Sequence, residues 1–356
     1  MGCLDREQFA KRYQIGADPG KGISWSLVNV PNNMRKVPQK WEVPYPAVLR
    51  CFSGDWYDAC QIYREWALKQ SWSAEGPLIS RKSIPQWFKD IDEWLSINES
   101  VLISSRPDFN QMTQDFGKYK LGTMCYGWGK GHHFDEMNPE RFPLDKQDLE
   151  YLKIMSQNNI AVMGYILCTG WSDKTESFIK EGGLQNTVKT FSGQSLKWAT
   201  DVKGNEIIAY PGKAWTKVLG DTVEEMAKAG FAAAYLDSGN HGGTYLNFNP
   251  NCSSVSGGGN SYIKGNQQLI QSIKQRARKI NPDFCFTAES FWEGNIAELD
   301  GILVCNTTNI YLEGDRVTAI PMAQTVYHDY CLMYSVWPSR GDVERDYARG
   351  YVAKHG

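Results

Sequence analysis

The chain has 356 residues, with 38 Lys and Arg against 40 Asp and Glu and a net charge of −2. That balance gives no electrostatic footprint for nucleic acid or an anionic membrane surface, and no apolar run approaches the ~18 residues a membrane-spanning helix needs. The length suits one α/β barrel of about 250 residues with an appendage, and the 13% aromatic content, with 13 Trp and 18 Tyr, supplies flat rings that suit cores and sugars alike.

The start, MGCLDREQFAKRY, lacks the basic-then-apolar pattern of a signal peptide, and Arg6 stands where a myristoylation signal needs Ser or Thr. Strand candidates follow at ISWSLVNV, 23–30, and YPAVLRCF, 45–52. Two or three strands do not close a core, so residues 1–52 are predicted to be a partial β-domain. From Ser53, a candidate N-cap, Trp56, Ala59, Tyr63 and Trp66 recur at helical spacing, giving a helix over 54–70. A linker through Pro77 to Pro85 completes a helix-and-linker segment, 53–84.

From residue 85 apolar strands alternate with amphipathic helices, the pattern of a parallel α/β sheet. The strands predicted are 92–98, 121–128, 161–171, 231–239, 284–290, 301–308 and 319–329. Helices between them carry Phe109, Met112 and Phe116; Leu149, Leu152 and Met155; Trp215, Val218, Val223 and Met226, stopped by Gly230; and Leu269, Ile273, Ala277 and Ile280, stopped by Asn281 and Pro282. No GxGxxG turn follows the first strand, so the pattern favours a (β/α)8 TIM barrel over 85–356 rather than a doubly wound sheet. The chain ends about one helix after the seventh strand. Either it is a truncated piece lacking strand eight, or an N-terminal element closes the barrel. The Ser/Gly/Asn-rich stretch 252–261 reads as a mobile βα loop; its SGGGN lacks the Lys-Ser/Thr of a phosphate loop.

The nine cysteines have no CxxC or Cys/His zinc spacing. Cys125, Cys168, Cys285 and Cys305 fall within apolar runs and read as small buried hydrophobes, and the odd count argues for free thiols.

In such a barrel the chemistry lies at the C-terminal ends of the strands. Asp237 follows AAAYL and Glu289 follows FCFTA, so both carboxylates should emerge at the rim of adjacent strands. There they can sit about 5–6 Å apart, the spacing of a retaining glycosidase in which one group attacks as the anion and the other holds a proton. The alternative is an N-cap for Asp237 and an ion pair for Glu289. Tyr126, Trp128, Trp171, Trp292 and His328 are candidates for sugar contact, with packing as the competing role for each ring. Glu293, four residues beyond Glu289, is a less favoured acid. His132 and His133 with Asp135 and Glu136 invite a metal, but adjacent histidines point opposite ways, so no metal and no cofactor is assigned.

The segments GDWYDACQIYREWA, IPQWFKD, AAYLDSG, TAESFWEG and IPMAQTVYHDY together resemble an uncharacterised family of bacterial glycosidase-like TIM barrels. That family is distantly similar to endo-α-N-acetylgalactosaminidases and to the α-amylase and α-galactosidase barrels. The resemblance covers about residues 50–335. It implies a glycoside hydrolase acting on α-linked glycans or polysaccharides, with Asp237 as nucleophile and Glu289 as acid/base. It further implies that Asp329 holds sugar hydroxyls, and that the protein is exported, although this chain shows no export signal. The partner expected is a carbohydrate. A non-catalytic carbohydrate-binding barrel or inactive fragment is the competing expectation, a metal-dependent hydrolase using the His132 region a remoter one, and the oligomeric state stays open.

Overall fold

A computed structural model describes residues 2–18, 20, 22–36, 40–95, 106–129, 140–201, 204–240, 245–253, 255–304 and 320–334. In chain order the strands are β1 (Gly2–Cys3), β2 (Lys11–Asp18), β3 (Gly22–Asn29), β4 (Ala47–Val48), β5 (Glu93–Leu95), β6 (Leu121–Cys125), β7 (Ile160–Leu167), β8 (Gly170–Ser172), β9 (Lys197–Asp201), β10 (Gly204–Ile208), β11 (Ala233–Asp237), β12 (Cys285–Glu289), β13 (Gly301–Leu303) and β14 (Met333–Tyr334).

Seven of them form one sheet in the order β14-β13-β12-β11-β7-β6-β5. Every pairing in that sheet is parallel. Each strand lies beside its predecessor in that sheet, as successive crossovers of one hand produce. Side-chain alternation divides the strands between two cores. Met163, Tyr165, Ala233, Tyr235, Cys285 and Leu303 face one another in an inner cluster. Ile166, Ala234, Leu236, Phe286, Ala288 and Ile302 face outward into a larger cluster with the helices Lys213–Ala229 and Ser261–Ile280.

The sheet curls until its two ends meet through side chains. Trp94 on β5 and Tyr334 on β14 have ring centroids 5.3 Å apart, and Phe88 packs against both. The Trp94 ring lies on Gly122 of the neighbouring strand, where an added Cβ would come within 2.5 Å of it. Tyr334 reaches across the interior and donates to Thr287 Oγ1 at 2.8 Å. The result is a mixed α/β fold with a parallel sheet nearly closed into a barrel.

Several expectations change. Of the strand expected at 319–329, residue 319 lies outside the described residues and 320–329 hold no strand: Met322–Tyr327 is a helix, and the seventh strand is β14. The short apolar run was ambiguous, since Val326 and Tyr327 are equally buried by a single helical turn. The third strand stops at Leu167, and Gly170–Ser172 leaves the barrel to join an antiparallel sheet ordered β8-β10-β9. That sheet is built from what read as a long loop. The helix predicted from Ser53 begins at Trp56 with Asp55 as its N-cap, in a capping box with Asp58. Gly230 does end its helix in a left-handed conformation, φ 99°.

At the N-terminus β2 and β3 form a hairpin, and β1 pairs with β4. The hairpin rests on the loop after β11: Ala10 N–H donates to Gly259 O at 2.8 Å and Gly259 N–H to Val30 O at 3.0 Å. A Cβ at Gly258 would lie 2.4 Å from the Val30 side chain, so the glycine run of 257–259 permits backbone-to-backbone contact. The stretch expected to be a mobile loop is there a docking seam.

One buried ionic cluster locks β12 to the segment entering β13. The Asp300 carboxylate, fully buried, accepts from Lys274 at 2.7 Å, from Arg278 at 3.0 Å and from the Phe286 backbone N–H at 2.8 Å. Asp300→Ala leaves two cations around an empty acceptor and costs about 3–5 kcal/mol. Urea denaturation should show that loss as a lower midpoint at an unchanged slope; a change no larger than a surface substitution gives would show the cluster to be dispensable.

Candidate active site

Asp237 is the last residue of β11 and Glu289 the last of β12. The parallel register pairs Leu236 with Ala288 one step earlier, so the two carboxylates leave neighbouring strands at the same level. Both continue the inward parity of Tyr235 and Thr287. Each is partly exposed at the C-terminal mouth.

Beneath them lies a tyrosine layer. Tyr165 pairs with Tyr235, and Tyr235 pairs with Thr287. The Tyr165 hydroxyl donates a short hydrogen bond to Asp237 Oδ2, and the Tyr235 hydroxyl donates to Glu289 Oε2 at 2.9 Å. Each tyrosine thus reaches the residue two beyond its own partner on the next strand. The same diagonal step occurs twice, as strands tilted about a barrel axis dispose it. The rings of Tyr165 and Tyr235 are stacked with centroids 5.8 Å apart, and Tyr126 lies 5.5 Å from Tyr165.

Both strands leave the mouth through the same turn. Ser238 (φ 58°) and Ser290 (φ 63°) are left-handed without being glycine. Such residues cluster at functional sites and are held by their surroundings. Here Asn240 Nδ2 donates across to Ser290 O at 2.8 Å, while Asn266 and Asn295 donate to Gly239 O at 2.9 and 3.2 Å. Burial first, and the Asp237 charge second, push the Cys168 thiol up to about 12 and the Tyr245 phenol likewise to about 12. Cys168 is therefore a thiol and no nucleophile at neutral pH.

The family described as Domain of unknown function (DUF6259) matches residues 41–337. The chain belongs to that family. No curated protein matches this DUF6259 chain in sequence. Its fold is shared with glycoside hydrolases. The ligand-free α-N-acetylgalactosaminidase NagBb from Bifidobacterium bifidum superposes with a TM-score of 0.70 at 10% identity, over 98% of this chain and 64% of that one. The same enzyme in its GalNAc complex gives 0.63 at 11% identity, over 90% and 51%. In its Gal-NHAc-DNJ complex it gives 0.61 at 11%, over 87% and 48%. The DUF6259 chain thus spans between about half and just under two thirds of that enzyme.

The other sequence candidates disperse. Trp128 is 1% exposed, with Phe231 at 4.8 Å and the Arg141 guanidinium at 4.7 Å over its ring, and its N–H goes to Tyr165 O. Trp171, also 1% exposed, packs on Trp215 and Phe178 and donates to Ser177. Both indoles belong to the layer between sheet and helices, where no sugar face can reach them. His328 follows the helix Met322–Tyr327, exposed, with Nδ1 3.1 Å from Gln324 O. Asp329 precedes β14, so it lies at the end of the sheet opposite Asp237 and Glu289. Against the cost of its burial, Arg64 at 2.7 Å holds the Asp329 carboxyl below the usual range. Asp329 is thus the ion-pair partner of Arg64 ahead of the seventh strand, not the residue that ends it. His132, His133, Asp135, Glu136 and Cys305 lie outside the described residues, among which no cluster of His, Cys, Asp and Glu is close enough to hold a metal.

Trp292 is half-buried on the wall of a cavity of about 1350 Å³ that also takes in Glu293, Tyr63, Trp66, Tyr13 and Lys11. This cavity is bordered by the loop after β12, and neither Asp237 nor Glu289 lines it. The Trp292 ring lies against Gly294, where an added Cβ would be 2.3 Å from it. Tyr165 and Tyr235 escaped the sequence analysis. Their signal was present in the alternation: Tyr235 is two residues before Asp237 and shares its face.

Glu293 is clamped. It accepts from Tyr63 at 2.6 and 2.8 Å and from Tyr327 at 2.5 Å, joining the β12 loop to the helices Trp56–Ala67 and Met322–Tyr327. Burial raises its pKa, with the two tyrosine hydrogen bonds opposing. A carboxyl raised in the folded state contributes stability that is complete below its unfolded value of about 4.3 and is lost as pH rises through the folded value. Glu293→Gln removes that titration. Melting temperatures taken from pH 4 upward should fall less steeply for the variant than for the parent; parallel curves would place the ionisation elsewhere.

Proposed function

We propose that this chain is a retaining glycoside hydrolase of α-linked glycans, with Asp237 as nucleophile and Glu289 as acid/base. The observation that carries the proposal is the register of β11 and β12, which sets the two carboxylates side by side at the mouth of the barrel with a phenol donating to each. A fold shared with an α-N-acetylgalactosaminidase supports an α-configured substrate and makes N-acetylgalactosamine the first sugar to test.

In the first step the Asp237 carboxylate attacks the anomeric carbon while the glycosidic C–O bond breaks and Glu289 gives its proton to the departing oxygen. In the second, Glu289 takes a proton from water as that water's oxygen displaces Asp237. Two inversions return the original configuration and restore both groups. Tyr165 keeps the attacking oxygen of Asp237 from turning away. The half-buried Trp292, three residues beyond Glu289, offers an indole platform for a sugar residue beyond the bond cleaved.

Cyclophellitol-type probes of several sugar configurations test the nucleophile directly. An adduct on the peptide containing Asp237, absent in Asp237→Asn, is expected from the α-galacto-configured probe. No adduct from a chain that melts cooperatively and binds sugar would favour the binding-only barrel. Glu289→Gln should lower turnover of alkyl glycosides by roughly 10²–10⁴-fold. It should spare the first step for aryl substrates whose leaving group departs without a proton. Trp292→Ala should raise KM for an extended glycan with kcat little changed, the mark of lost uniform binding; an equal loss with a monosaccharide glycoside would argue against the platform.

A further inference from the structure

Two hydroxyls in the barrel floor each meet one member of the carboxylate pair, and nothing in the two-carboxylate chemistry requires them. We infer that Tyr165 and Tyr235 are positioning residues that hold Asp237 and Glu289 separately, each fixing one carboxylate's orientation and favouring its ionised form. The inference rests on the roles proposed above for the pair. The geometry under it does not depend on them.

Tyr165 donates to Asp237 Oδ2 and Tyr235 to Glu289 Oε2. An ordinary phenol, with a pKa near 10, carries its proton through the neutral range, so toward a carboxylate it acts as a donor. Donation to the charged form of an acid lowers that acid's pKa, and losing the donor raises it. The donors are rigid. Tyr165 and Tyr235 are each 1% exposed, their rings stack 5.8 Å apart, and both belong to the inner cluster with Met163, Ala233 and Cys285. Neither ring can swing away without opening the core, so each carboxylate meets a fixed hydroxyl.

Among the described residues the surroundings of the two carboxyls differ. Around Asp237 stand Glu289 from β12, Tyr165 from β7, the Cys168 thiol just beyond β7 and the Tyr245 phenol of its own loop. Around Glu289 stand Asp237 and Tyr235 from β11; β13 faces inward with the apolar Leu303, and the Tyr334 hydroxyl is taken up one layer lower by Thr287. Cys168 and Tyr245 are protonated in the neutral range. Two carboxyls on neighbouring strands titrate as a coupled pair, so a change at one member is felt by the other.

Phe at either position keeps the ring and its stacking and removes only the donor. The test follows the carboxyl carbons of the full chain, labelled with ¹³C in Asp and Glu side chains, by NMR titration, with Asp237→Asn and Glu289→Gln identifying the two signals. Tyr165→Phe should raise the Asp237 midpoint by about 1–2 pH units, the size of one hydrogen bond to a charged group, and move Glu289 less. Tyr235→Phe should do the reverse. With an alkyl α-N-acetylgalactosaminide as substrate, whose leaving group needs the proton, the kcat/KM profile should respond differently in the two variants. Its acid limb, set by the anion that must attack, should rise in Tyr165→Phe; its alkaline limb, set by the acid that must keep its proton, should rise in Tyr235→Phe. A purely structural tyrosine would lower activity at every pH and shift neither limb.

Unmoved midpoints in variants that melt like the parent would overturn the inference. Shifted midpoints in a chain that labels with no probe and cleaves no glycoside would leave the positioning intact and sink the hydrolase. If a Phe variant does not fold, 3-fluorotyrosine at the same position keeps the shape with a more acidic hydroxyl, and it must move the same midpoint downward.

Discussion

The parallel register among β7, β11 and β12 is the constraint from which the mouth of the barrel follows. Side chains alternate along a strand, so a slip of one residue in β11 would send Asp237 into the layer where Leu236 and Ala288 pack against helices. An ionised carboxylate there would lose its hydration with no compensating partner, a cost far above any local gain. Ala234, Leu236, Phe286 and Ala288 fix the register by burying their apolar surface against the helices Lys213–Ala229 and Ser261–Ile280. The polar geometry inside is thereby set by apolar packing outside. The Asp300 cluster pins the same strand from below, through the Phe286 backbone.

That dependence explains what was legible in the residues alone. Long helices with clean apolar faces and strong stops, such as 261–280 ahead of Pro282, and five-residue apolar strands ending in a carboxylate gave Asp237 and Glu289 their places. Periodicity failed where a run was short. The segment IPMAQTVYHD fits a strand or a turn of helix equally well, and the choice is made by Tyr327 reaching Glu293 and Arg64 reaching Asp329, contacts between residues more than 30 positions apart. Trp128 and Trp171 misled for another reason: a tryptophan just past a strand can face the mouth or fold back under the helices. Only the presence of Phe231, Trp215 and Phe178 beneath decides. The hairpin β9–β10 and strand β2 were missed because charged and polar residues break up every apolar run in them.

The segment before residue 53 belongs to the same physical system as the mouth. The β2–β3 hairpin binds by its backbone to the glycine run that follows β11, while Lys11 and Tyr13 form part of the cavity on which Trp292 and Glu293 border. The wall of that cavity is built from the N-terminal strands, the helix Trp56–Ala67 and the loop after β12. Glu293, held by Tyr63 and Tyr327, sets where that loop turns, and hence where Trp292 lies.

The two serines after the carboxylates complete the argument. A left-handed conformation costs a non-glycine residue about 1–3 kcal/mol, and it occurs here twice, at equivalent positions on adjacent strands. An ordinary extended exit would carry each chain straight on and leave the last side chain flanked by strand. Turning sharply at Ser238 and Ser290 ends the sheet at the carboxylate itself, so Asp237 and Glu289 stand at the rim, each with one oxygen on a tyrosine. Asn240, bridging from one turn to the other at Ser290 O, makes the two strained turns a single unit. The strain is thus tolerated because each turn is held by the other, and the pair it presents keeps its spacing as loops around it vary.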